Sequence, residues 1–124
     1  MKSLAPAVTL TAVLLALPAL AQRGVVLQAR TAGELAELCA ANPKDPQGDA
    51  KINFCHGFAQ GAILVEQRRA EGKKLFCFPS PAPTRTATMN EFVSWVRALP
   101  EHRTPPAIEG LFQFLGERYP CKST

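Results

Sequence analysis

The side chains best suited to chemistry in this sequence are four cysteines, Cys39, Cys55, Cys77 and Cys121, and two histidines, His56 and His102. Three kinds of chemistry could use them. Zinc sites usually draw ligands from close pairs such as C-x-x-C, but the nearest two cysteines here are 16 positions apart and neither histidine completes a ligand set. The Cys55-His56 neighbours suggest a thiolate activated by an adjacent base, which requires a free sulfur. The third chemistry is oxidation. An even number of cysteines, none placed for a metal, is the economical signature of two disulfides in an oxidising compartment, and a bonded sulfur is no nucleophile. His102 lies between Glu101 and Arg103 in a turn bounded by Pro100 and Pro105 and reads as solvated surface. No serine sits in a strand-turn-helix context, and the acidic residues are spread singly. The expectation is a chain that binds rather than catalyses, with no metal and no cofactor.

The N-terminus supplies the oxidising compartment. Lys2 precedes an apolar stretch from Leu4 to Leu17, Pro18 breaks it, and Ala19-Leu20-Ala21 places small residues where a signal peptidase reads. The stretch is short for a bilayer span of ~20 residues, and no strong charged flank stops transfer after it, so no stable membrane anchor is expected. Residues 1–21 read as a signal peptide and 22–124 as one periplasmic domain. Lys and Arg outnumber Asp and Glu by 14 to 10, a net charge of +4. The basic residues are scattered among Glu66 and Glu71 rather than gathered on one face, which argues against nucleic acid as a partner.

The elements that position the cysteines are helical. Thr31 and Glu34 form a capping box for a first helix from about Ala32 to Ala41, and Asn42-Pro43 through Pro46-Gln47-Gly48 is a loop. A second helix, from about Ala50 to Ala70 with Asp49 as its cap, carries Ile52, Cys55, Ala59, Ala62, Ile63 and Glu66 on one face; being longest, it is expected to be the spine of the core. Three prolines make Phe78-Pro79-Ser80-Pro81-Ala82-Pro83 a non-helical connector. Thr88 with Glu91 suggests a capping box for a third helix ending before Pro100. Thr104 and Pro105 suggest the start of a fourth that ends at Pro120. Trp95 and Tyr119 fit the apolar faces of these helices. The expected fold is all-α, a small disulfide-stapled bundle of four helices.

Two segments stand out as sites. Gly57 and Gly61 lie one turn apart on the second helix, each costing about 1 kcal/mol relative to Ala, so a compensating close approach of another helix inside the domain is expected there. The connector, with Phe78, Pro79, Pro81 and Pro83, is the candidate interface loop, because a proline-stiffened segment loses less entropy on binding.

The ordered set Leu38-Cys39, Cys55-x-Gly57-Phe58-x-x-Gly61, Cys77-Phe78-Pro79, Leu99-Pro100 and Tyr119-Pro120-Cys121 resembles the Rap/Tai family of immunity proteins associated with type VI secretion amidase effectors. The likeness spans about residues 31–121. It implies a periplasmic all-α domain with two disulfides and a protein partner, a secreted peptidoglycan amidase whose active site is blocked, with homodimers common among members. The chain departs from the family's pattern in Ala59, where a hydrophobic residue often follows the aromatic of the glycine motif, and in the richness of proline after Cys77-Phe78-Pro79. Helices that alternate up and down place the end of the first beside the start of the second, and the ends of the second and fourth together. That arrangement favours Cys39–Cys55 and Cys77–Cys121 among the three possible pairings. The function expected is a periplasmic binding or inhibitor protein of the immunity type; the alternatives are a small helical periplasmic stress chaperone and a subunit of an envelope complex.

Overall fold

A computed structural model describes residues 24–69 and 72–122, and the expected signal peptide lies outside them. Among the described residues four helices form in chain order: α1 (Ala32–Cys39), α2 (Gly48–Arg69), α3 (Arg85–Ala98) and α4 (Ala107–Arg118), with a 3-10 turn at Pro100–His102 between the last two. Among the described residues there is no strand beyond one isolated bridge between Thr31 and Pro106. The fold is the expected all-α bundle with two disulfides.

The organisation differs from expectation in which helix is central. α1, only eight residues long, packs against α2, α3 and α4. Its Ala32, Leu35 and Ala36 are buried with Phe92 and Val96 of α3 and with Leu111, Phe114 and Leu115 of α4. α2 is longer but peripheral. Its inward stripe is Cys55, Ala59, Ala62 and Glu66, mostly small residues that allow a close seat, while Leu64 and Val65 face outward. Length alone therefore did not choose the spine: a helix is central when apolar groups surround it, and α2 is buried along one narrow face only.

Several helix starts also shift. Thr31 caps α1 as expected, accepting from the Glu34 N–H at 3.2 Å, but the Glu34 carboxylate takes the N–H of Arg30 at 2.6 Å rather than that of Thr31. α2 begins at Gly48 rather than at Ala50 after an Asp49 cap, entered from Gln47 at a φ of 66°. α3 starts a turn earlier than expected. Thr84, immediately after Pro83, accepts from the Ala87 N–H at 3.2 Å, and Thr88 lies inside the helix with its hydroxyl donating to the Thr84 carbonyl at 3.0 Å. α4 starts later, because the 3-10 turn occupies the connection and the Thr104 hydroxyl donates to the Glu101 carbonyl. With Pro106 offering no side-chain cap, the first α4 amide, Ala107 N–H, donates to Arg30 O at 2.9 Å, and Ala32 N–H donates back to Pro105 O at 2.9 Å. The two helices thus satisfy each other's unpaired first-turn donors.

The glycine expectation is corrected. A methyl added at Gly57 or Gly61 meets no described atom within 4 Å, and both residues are exposed. The close approach is made instead at Gly110, where an added Cβ falls 2.5 Å from Ala32 Cβ, and at Gly33, where it falls 3.2 Å from Arg103 O. Helical spacing shows that Gly57 and Gly61 share a face but not which way that face points. With open space and ordinary helical geometry, Gly57→Ala and Gly61→Ala are each expected to stabilise the domain by about 1 kcal/mol. Denaturant midpoints check this, and a fall for either variant would contradict it.

Candidate partner-binding surface

Each staple fixes one end of the bundle. Cys39, at the last position of α1, bonds Cys55 in the third turn of α2, with Cα atoms 5.1 Å apart and Cys55 fully buried. Cys77, just before the proline loop, bonds Cys121 after α4 with Cα atoms 4.9 Å apart. The expected pairing is the one observed. No cysteine is free, so the Cys55-His56 pair offers no thiolate. Among the described residues no three His, Cys, Asp or Glu side chains gather as a metal site.

The second staple also anchors the proline loop. The Cys77 N–H donates to Tyr119 O at 2.8 Å. The Phe78 ring, half-buried, packs on Tyr119 at 5.1 Å and on Phe76 at 5.4 Å. Phe76 and Tyr119 are buried, so this cluster roots the loop in the core. From that root Pro79 and Pro81 project into solvent, with Pro83 half-buried, and the Ser80–Pro81 bond is cis. A groove of about 830 Å³ is lined by the loop together with Glu91, Arg118 and Lys122. The Arg118 guanidinium grips Glu91 with both ends of its fork, at 2.6 and 3.3 Å, and lies 5.2 Å over the Tyr119 ring. The Glu91 contacts hold Arg118 above the usual arginine value. Of the expected site residues, the structure gathers Phe78, Pro79, Pro81, Pro83, Cys77 and Cys121 at this end. Gly57 and Gly61 do not line this groove.

Sequence reasoning missed Glu91, Arg118 and Lys122 as members of this surface, since α3, α4 and the tail meet only through tertiary packing. It also misread His102. The imidazole stacks on Trp95 at 3.6 Å with nearly parallel rings, and its Nδ1 lies 2.6 Å from Trp95 O. The Trp95 indole N–H donates to Glu117 at 2.7 Å, and the Gln113 amide donates to the other carboxylate oxygen at 3.1 Å. Those donors, the indole first, hold Glu117 below the usual carboxylate value, with a smaller contribution from the nearby His102 and against a small opposing effect of burial. Because the folded value is depressed, this contribution to stability is present above the unfolded value and is lost as pH falls through the folded one. Acidification below the ordinary carboxylate range is therefore expected to change the fluorescence of Trp95, the only tryptophan. In Glu117→Gln that acid transition should be absent, and its persistence would assign it to another group.

Residues 31–121 match the family described as Rap1a immunity proteins. The chain belongs to that family. No curated protein and no solved structure matches it. Membership makes the chain an immunity-type protein, whose partner is another protein. Two disulfides suit the oxidising space in which such a protein would persist, and no described helix is long and apolar enough to cross a membrane.

Proposed function

We propose that this immunity protein is exported through its N-terminal signal peptide to the periplasm and there inhibits a secreted peptidoglycan amidase. The rooted loop covers the enzyme's cleft. The observation that carries the reading is the loop's construction: Pro79 and Pro81 stand exposed on a segment held by the Cys77–Cys121 bond, by the Cys77–Tyr119 hydrogen bond and by the Phe78 ring. An inhibitor must present a surface its target cannot remodel, and a segment already ordered before contact gives up less entropy on binding. All four cysteines are spent in crosslinks, so the chain holds no thiolate with which to attack a substrate.

The test mixes the purified protein with secreted cell-wall amidases and follows both complex formation and hydrolysis of peptidoglycan. A loop variant in which Pro79, Ser80, Pro81 and Ala82 become Gly-Ser-Gly-Ser keeps Cys77, Phe78 and Pro83. It is expected to retain the helical signal and lose at least tenfold in inhibition. Unchanged inhibition by this variant would remove the loop from the interface, and wild-type protein that binds and inhibits no amidase would refute the function.

A further inference from the structure

Sequence order separates Lys122 from Lys73 and Lys74 by about two-fifths of the chain, and on that ground the basic residues look scattered. The fold removes the separation. The Cys77–Cys121 bond draws the C-terminal tail back against the segment after α2, leaving Cys121 Sγ 3.7 Å from Lys74 O. Lys73, Lys74 and Lys122 then line one open groove of about 800 Å³ together with the disulfide and the exposed Leu75. No described carboxylate lines it, and none of the three lysines makes an ion pair with a described residue. Glu66, which lines the adjoining cleft together with Lys74, is held by the Arg69 guanidinium at 2.8 Å. Lys122 also borders the groove lined by the proline loop, so the basic groove continues the loop surface.

Lysines gathered beside exposed apolar surface attract extended acidic chain with apolar side chains, since each ammonium finds a carboxylate and the aliphatic stems cover the rest. We propose that this groove docks an acidic segment of the protein partner, beside the contact made by the proline loop. The proposal rests on the reading of the chain as an inhibitor only for the partner's identity; the groove's preference for acidic polypeptide is separable from it. Rim charges of this kind act mainly on the rate of encounter and give binding a steep salt dependence.

The probe is a synthetic peptide, Glu-Leu-Glu-Glu-Leu-Glu, with the corresponding Gln-Leu peptide as the uncharged control. Amide chemical shifts of the full oxidised protein are followed at low and at physiological salt. Perturbations confined to residues 72–77 and 121–122, absent with the Gln-Leu peptide and weakened at least tenfold in Lys73→Gln/Lys74→Gln/Lys122→Gln, are the expected result. The control Lys44→Gln/Lys51→Gln should bind as wild type does. Equal binding by the triple variant, or perturbations spread equally to Lys44 and Lys51, overturns the proposal. So does tighter binding of anionic lipid vesicles or of peptidoglycan sacculi than of the peptide, which would assign the groove to a surface rather than to a protein. Should no amidase be inhibited while the peptide still binds here, the inhibitor reading falls and the groove stands; inhibition that is indifferent to the triple variant and to salt has the opposite meaning.

Discussion

Reduction of both disulfides is expected to unfold the domain at about 37 °C, read as loss of helical circular dichroism together with exposure of all four thiols. The loops closed by Cys39–Cys55 and Cys77–Cys121 span 16 and 44 positions and do not overlap. The loop-entropy relation assigns them about 3 and about 4 kcal/mol, and because the loops are independent the contributions add. A domain of this size has a net stability of about 5–15 kcal/mol, so removing both constraints consumes nearly half of it at the upper end of that range and all of it at the lower. The two bonds should differ in consequence. Cys55 is fully buried against the core, so Cys39→Ala/Cys55→Ala adds a packing defect to the lost constraint. Cys77→Ala/Cys121→Ala loses the larger entropic contribution and also frees the proline loop and the lysine groove, so binding should fall further than stability alone accounts for. A reduced protein that keeps its full helical signal and a cooperative melt would show that the helices hold together without their crosslinks.

Gly110→Ala should destabilise by about 1–3 kcal/mol, toward the upper end. The added methyl would lie 2.5 Å from Ala32 Cβ, far inside the separation of about 3.5–4 Å at which two carbons rest. Neither side can yield easily. Ala32 has no exposed surface, and the starts of α1 and α4 are tied by Ala32 N–H to Pro105 O and Ala107 N–H to Arg30 O, each 2.9 Å. Relief would have to separate those two helix starts, breaking hydrogen bonds that satisfy first-turn donors. Urea midpoints measure the effect. Ala32→Gly should recover part of it in the double variant, offset by roughly 1 kcal/mol for placing glycine in a helix. An unchanged midpoint for Gly110→Ala would show that the crossing is looser than its geometry indicates. The contrast with Gly57 and Gly61, where the same methyl should stabilise, separates a glycine that a neighbour requires from one that meets nothing in the domain.

That contrast marks where sequence reasoning stopped. Gly57 and Gly61 drew notice because they repeat at helical spacing, whereas Gly110, between Glu109 and Leu111, carries no pattern; its need for a bare Cα comes from α1, some 80 positions earlier in the chain. The same holds for the candidate site. Phe78 and the three prolines were recognisable because proline acts locally on the backbone it belongs to. Arg118, Glu91 and Lys122 were not, because their role depends on which helix ends meet.

The amino-acid sequence by itself determined that the described chain would be helical, that four cysteines would pair as two crosslinks and, through their order and neighbours, to which family the chain belongs. Those properties depend on short-range periodicity, on backbone restrictions at proline and on cysteine number, all local or countable. Tertiary structure alone decided that the short α1 rather than the long α2 lies at the centre, that Thr84 rather than Thr88 caps α3, that His102 packs on Trp95, and that three lysines gather at the Cys77–Cys121 bond. Each of these depends on which helical face found apolar partners, and periodicity gives a face its composition without giving it a direction.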